Sequence, residues 1–194
     1  MDLFTDRTGS VFADVGAHAG RWVLPMAQYF ERVYAFEPNP DSFYVLCENV
    51  KKAGLLNVIT RNLAISNRPG KKVLCELDGA PSRSTLYPEF SRFRVTRRFF
   101  VGFAPLSEQL AEEPRVSLIK VDVEGSELDV LKSAHDVLTR SRPRLCIETH
   151  SNVLYQDCAA FLNSLNLAFE TRTSYSSGTV NDVHKYIIRT EEGN

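Results

Sequence analysis

Two glycines stand four residues apart in Asp14-Val15-Gly16-Ala17-His18-Ala19-Gly20, directly after the apolar run Val11 to Val15. Glycines in such a loop let backbone approach a ligand closely at the start of a helix. A second apolar run, Arg32 to Phe36, ends at Glu37-Pro38, which puts an acid where ribose hydroxyls can donate to it. Loop and acid together describe a nucleoside site. A dinucleotide fingerprint, G-x-G-x-x-G, needs a middle glycine against the pyrophosphate, and Ala17-His18-Ala19 supplies none. Asp14 would repel a pyrophosphate but suits a ligand carrying ammonium and sulfonium cations. Two further runs, Val116 to Val123 and Arg144 to Thr149, carry Asp122 and Glu148 near their ends, with His150 next in line. Adjacent parallel strands ending in these residues would set two carboxylates at one rim, able to orient or deprotonate a bound hydroxyl.

The elements that must position these groups are legible in the periodicity. Short apolar runs alternate with helical stripes, the pattern of parallel strands joined by crossover helices. Val23, Met26, Ala27 and Phe30 mark a first helix, in which Pro25 is tolerated only within the first turn. Asn39 and Pro40 suit the N-cap and first position of a second, with Phe43, Leu46, Cys47 and Val50 as its stripe. Asn57 to Ile65 is a third strand. Lys71 to Phe103 holds β-rich pieces around a polar loop at Ser82 to Ser84. One helix carries Val130, Leu131, Ala134, Val137 and Leu138, and another Leu154, Cys158, Phe161, Leu162 and Leu165. Leu167 to Tyr175 and His184 to Thr190, around Ser176-Ser177-Gly178, predict an antiparallel hairpin at a sheet edge. The expected fold is a doubly wound, mostly parallel α/β sheet with that hairpin at its C-terminal end, in a single domain spanning 1–194.

Asp14 to Gly20, the run Ala35-Phe36-Glu37-Pro38-Asn39-Pro40, and Ile119-Lys120-Val121-Asp122-Val123-Glu124-Gly125-Ser126-Glu127-Leu128 resemble the FkbM-type methyltransferase family. Asn62 to Ser66 and Ile147-Glu148 are similar to it in the same order, so the resemblance covers nearly the whole chain. It implies a Rossmann-like class I fold and S-adenosylmethionine-dependent methylation of oxygen, on sugars or natural-product hydroxyls. Carried over by position, it implies that Asp14, Gly16, Ala17, His18 and Gly20 line the methionine side of the cofactor. Glu37 would bind ribose, with Pro38 beside it, Asn39 and Ala64 would lie near adenine, and Asp122 would face the reacting centre. His18 stands where this loop more often carries asparagine. An N-terminal helix that often covers the acceptor is expected to be absent.

Methyl transfer needs the acceptor oxygen in line with the S–CH3 bond and a base for its proton. Candidates are Asp122, Glu124, Glu148, His150 and His18, with Asp122, Glu148 and His150 preferred as catalytic residues. Glu124 reads more simply as an acid in a helix's first turn. The same carboxylates with His150 could hold Mg2+, but no diagnostic spacing supports this and no metal is expected. Ser91 to Phe100 mixes arginines with aromatics, which could bind an acidic acceptor, although a solvated edge strand is the simpler reading. Trp22 is expected in the core.

Composition narrows the partners. The 194 residues carry 23 Lys and Arg against 24 Asp and Glu, a net charge of −1 that offers no field for nucleic acid or membrane. The expected partner is therefore a small-molecule or glycan acceptor. Cys47, Cys75, Cys146 and Cys158 lack zinc-ligand spacing and read as buried, reduced thiols. With no signal-like or membrane-length apolar run, the cytoplasm is the default location. A nicotinamide-dependent oxidoreductase is the rival enzyme, and a cofactor-binding module without catalysis the rival from another class.

Overall fold

Five consecutive buried residues, Val11–Val15, form β1, and the absence of a solvent-facing side explains why the run is apolar except at Asp14. The computed structural model describes residues 10–78, 80–91, 93–175 and 183–189, and the statements below refer to these. After β1 come the short helix α1 (Val23–Met26) and one 3-10 turn, Ala27–Tyr29. Pro25 sits within the first turn of α1, and the stripe that predicts a longer helix is completed by that turn instead. Arg32–Phe36 is β2. Asn39 caps α2 (Pro40–Lys52), its side chain accepting from the amides of Asp41 and Ser42. Such a cap is worth about 1 kcal/mol.

The third predicted strand is divided. Val58–Arg61 (β3) joins the main sheet, whereas Ala64–Ile65 (β4) turns away into a second one. That second sheet is completed by β5 (Gly70–Leu77), β6 (Ala80–Thr85) and β7 (Val95–Ala104), in the order β4-β7-β5-β6. Ser82 to Ser84, expected in a loop, lie within β6. Nor is the arginine-rich segment a sheet edge: β7 lies between β4 and β5, although β4 pairs only with Phe103 and Ala104 of it. Thr96, Arg97, Arg98 and Phe100 are nonetheless exposed to water.

The chain returns through α3 (Leu106–Gln109) to β8 (Leu118–Val121). The next predicted helix is two, α4 (Glu127–Ser133) and α5 (His135–Ser141), with Ala134 between them. Then follow β9 (Arg144–Thr149), α6 (Asn152–Ser164), β10 (Glu170–Tyr175) and β11 (Val183–Arg189). The seven-stranded main sheet has the order β10-β11-β9-β8-β1-β2-β3, parallel except for β11, which pairs antiparallel to both neighbours. This is the class I methyltransferase-like arrangement with the expected C-terminal hairpin. The turn at Ser176 to Gly178 lies outside the described residues.

Helices cover both faces. Phe12, Val33, Ala35 and Leu118 pack with Val23, Leu46 and Val50 on one side. Val11, Ala13, Val15, Ile119 and Val121 pack with Leu106, Val130, Leu138 and Leu162 on the other. Cys75 and Cys158 are buried, while Cys47 and Cys146 are only partly so, and all four are free thiols. No described helix is long and apolar enough to cross a membrane.

Candidate active site

The chain builds outward from β1 to one side through β2 and β3, then to the other through β8 and β9, so the strand order reverses between β1 and β8. Crevices beyond the carboxyl ends of strands at such a reversal are where ligands bind in open α/β sheets. A cavity of about 690 Å³ opens there. Its floor is the loop after β1, and one wall comes from the second sheet through Ala64, Leu74, Ser84 and Leu86. Trp22, expected in the core, is 38% exposed and lines this cavity beside Pro25 and Met26.

The floor is backbone-built. The amides of Gly16 and Ala17 both donate to the Phe36 carbonyl at 3.0 Å, which ties the loop to the end of β2. Gly16 has φ +81°, and a Cβ there would stand 1.8 Å from the Asp122 carbonyl oxygen, so only glycine lets the segments after β1 and β8 meet. Glu37 is held by two backbone amides, accepting from His18 N at Oε2 and from Asn39 N at Oε1, each at 2.8 Å. Burial pushes its pKa up to about 7 despite these two bonds and nearby Lys120. His18 adopts φ +48°, and its ring lines the cavity. Burial and the Lys120 charge lower its pKa, so it is neutral at pH 7.

Beneath the loop lies a buried ion pair. Lys120 of β8 donates to the Gly16 carbonyl at 2.6 Å and places Nζ 3.1 Å from Asp14 Oδ1 and 3.6 Å from Asp122 Oδ2. The Lys120–Asp14 contact is within hydrogen-bond distance but poorly aligned, and neither Asp14 oxygen has another partner. Burial raises the Asp14 pKa, which Lys120 offsets only in part. Burial alone would lower that of Lys120, but Asp14 and Asp122 outweigh it and the pKa is raised.

The rim is acidic and holds a histidine. Asp122 follows β8 and Glu148 lies near the end of β9, and both line the cavity. His150 places Nε2 3.6 Å from both Asp122 Oδ1 and Glu124 Oε2, while Nδ1 lies 2.7 Å from Glu127 Oε1. Burial opposes protonation of the ring, yet Glu127, Glu124 and Asp122 together push its pKa up to about 9. Glu124 is not in a helix's first turn: it precedes Gly125 at φ +52°, and α4 begins only at Glu127. Burial raises its pKa, against the pull of His150.

Of the residues singled out in the sequence, Gly16, Ala17, His18, Glu37, Pro38, Ala64, Asp122 and Glu148 share the cavity wall. Asp14, Gly20, Asn39 and His150 do not reach it. Asp14 is wholly buried under the loop, and Gly20 packs against Leu46. The Asn39 side chain is occupied by its cap and by donation to Ser84 Oγ at 3.0 Å and Glu76 Oε2 at 3.4 Å. Arg97 lies outside as well, paired with Asp41 and Glu76. Two groups have no role in the sequence reading, Lys120 and Glu127. A lysine inside an otherwise apolar strand is the signal for the first, because a buried ammonium requires a partner.

The arrangement offers a cavity of about 690 Å³ with one acid, Glu37, beyond β2 and three, Asp122, Glu124 and Glu148, beyond or near the ends of β8 and β9. Residues 14–176 match the family model of the methyltransferase FkbM domain. The chain is 30% identical over 164 residues to the hexuronic acid methyltransferase AglP of Haloferax volcanii, covering 82% of this chain and 64% of that protein. It is 29% identical to methyltransferase 1 of Beauveria bassiana, covering 66% of this chain and 59% of the relative. The chain thus spans about three fifths of the length of these relatives. Among solved structures, methyltransferase FkbM from Methylobacillus flagellatus superimposes with a TM-score of 0.67 at 18% identity, covering 92% of this chain and 44% of the other. Methanocaldococcus jannaschii TYW2 in complex with AdoMet gives 0.51 at 16% identity, covering 96% and 69%.

Proposed function

Because the chain belongs to the FkbM methyltransferase family, we propose that it transfers the methyl group of S-adenosylmethionine to a hydroxyl oxygen of a sugar or natural-product acceptor. The observation that carries this reading is the shared cavity, with Glu37 at one end and Asp122 and Glu148 at the other. The residues present fit the cofactor: Glu37 is pinned by backbone amides, Gly16 leaves a cradle that a Cβ would fill, and the Asp14 carboxylate lies beneath the loop. When bound, the cofactor supplies an electrophilic methyl group on a sulfonium. The middle glycine that a pyrophosphate requires is missing, which disfavours the nicotinamide alternative.

In this reading Glu37 accepts from the ribose diol, and the loop from Gly16 to His18 borders the methionine end. Asp122 orients the acceptor hydroxyl and takes its proton, with Glu148 on the neighbouring strand as the next base. Positioning supplies much of the rate, since the displacement needs little more than alignment and a proton acceptor. At neutral pH His150 is protonated, so it contributes positive charge rather than a base. The naming of the Haloferax relative as a hexuronic acid methyltransferase supports a sugar acceptor. The test is incubation of the purified chain with methyl-labelled S-adenosylmethionine and pools of sugars and hydroxylated natural products, followed by mass spectrometry of labelled products. Label on a hydroxyl oxygen is expected. Label only on nitrogen or carbon, or no binding of the cofactor, would overturn the proposal.

A further inference from the structure

Among the described residues, Asp122, Glu124 and His150 each offer a ligand atom, all within 4.8 Å of one another. Ligands bound about 2.1 Å from a common cation lie roughly 3.0 Å apart when adjacent and 4.2 Å when opposite. The two 3.6 Å separations from Nε2 lie between these limits and reach the adjacent spacing by closing about 0.6 Å, which side-chain rotation supplies. A second observation stands outside the three. Glu127 is 0% exposed, lies against Nδ1 on the far side of the imidazole, and keeps Oε2 without a hydrogen-bond partner. A buried carboxylate behind a histidine fixes the ring and strengthens its other nitrogen as a donor to a metal once the cation displaces to solvent the proton that His150 carries without it. Glu127 is further braced by the Gly125 amide at 3.0 Å, which holds the loop carrying Glu124 to the same group.

The geometry points to a divalent cation site formed by Asp122, Glu124 and His150, with Glu127 as the support of His150, at the rim where the acceptor enters. The donor set is one imidazole nitrogen and two carboxylates. The imidazole nitrogen favours a first-row divalent cation over Mg2+ or Ca2+, which prefer all-oxygen sites, and Mn2+ is the member of that row with a direct spectroscopic readout. Three protein ligands leave coordination positions open toward the cavity for water or an acceptor oxygen. The chemical role rests on the methyltransferase reading and replaces Asp122 as the base: with Asp122 holding the cation, the acceptor oxygen bound there is more acidic and releases its proton to Glu148 or water. Its lone pair forms the O–CH3 bond as the C–S pair returns to sulfur, giving an ether, a thioether and one proton.

The site is tested on the protein alone. Purified chain is treated with chelator, exchanged into chelator-free buffer and titrated with Mn2+, with electron paramagnetic resonance counting free ion and calorimetry giving affinity. One saturable Mn2+ per chain is expected, together with a rise in melting temperature. His150→Ala should abolish that binding, and Glu127→Gln should weaken it roughly 10–100-fold. No saturable binding at millimolar Mn2+ in the wild-type chain, or binding unchanged in His150→Ala, overturns the site. Because neither cofactor nor acceptor is present, Mn2+ binding without methyl transfer would sink the functional reading alone. Methyl transfer indifferent to chelator, in a chain that binds no Mn2+, would sink the metal alone.

Discussion

Gly16 and Asp122 meet backbone to backbone: the space that a Cβ would need at residue 16 is taken by the Asp122 carbonyl oxygen, 1.8 Å away. The contact joins the loops after β1 and β8, so the floor of the cavity and its acidic rim are set by one close approach. Gly16→Ala should therefore cost about 2–4 kcal/mol through positive-φ strain and the clash together. Denaturant unfolding reads the loss directly. A variant as stable as the parent would mean that the two loops can separate freely.

Cofactor binding should depend on Glu37 and on pH. Glu37→Ala is expected to weaken S-adenosylmethionine by roughly 1.5–3 kcal/mol, the scale of hydrogen bonds to a charged group. Burial holds the Glu37 pKa near 7, above its ordinary value of 4.5, so the ionised form is the disfavoured one in the empty site. In the unliganded protein this lowers stability as pH rises from the ordinary value through about 7. A ribose diol needs the ionised form as acceptor, so affinity should rise about tenfold from pH 6 to 8 and then level off. Calorimetry on wild type and Glu37→Gln checks this, and a slope that persists in the glutamine variant would assign the titration elsewhere.

Lys120 should be structural and costly to lose. Lys120→Met leaves Asp14 buried without its cation, and breaking such a pair by one partner costs about 3–5 kcal/mol. Adding Asp14→Asn removes the stranded charge and should restore part of the stability. Thermal and denaturant unfolding of the single and double variants measure the coupling. Additive losses would show that the two side chains do not act as a pair.

Asp122→Asn keeps shape and removes the basic oxygen. Turnover should fall by roughly 10²–10⁴ while cofactor affinity changes little. A capping role does not compete with this, because α4 begins only at Glu127. Normal kcat would take Asp122 out of the mechanism and make Glu148 the base to test.

Much of this site can be read from residue order because its parts sit at strand ends. Val11 to Val15, Arg32 to Phe36 and Arg144 to Thr149 are bounded by glycine, proline or polar residues, and Glu37 after β2, Asp122 after β8 and Glu148 near the end of β9 fall where a parallel sheet gathers its strand ends. The segment from Ala64 to Ala104 is harder to read because its pairing is mixed, parallel for β4 with β7 and antiparallel for β5 with β6 and β7, with a register shift at Glu76 and Leu77. Periodicity carries no information about which strand finds which. Trp22 was misplaced for a related reason: its surroundings belong to a cavity lined by several distant segments, which no local window contains. Glu127 sits in a quoted motif, but its meaning depends on His150, which is distant in sequence and reaches it only through the packing of α4 beside β9.

The hold on Glu37 has an evolutionary corollary. Its two anchors are main-chain amides of residues 18 and 39, so the identity of neither side chain is needed to aim the acid. Position 18 is constrained by a different quantity, the φ of +48° that asparagine tolerates better than most residues. An asparagine at this point of the loop would be accounted for by backbone shape, without any ligand contact. His18 is then a substitution the scaffold can carry, freeing the ring, which lines the cavity and stays neutral, to be selected for what it meets there. A change of side chain at residue 18 would alter the lining of the cavity while leaving both backbone bonds to Glu37 as they are.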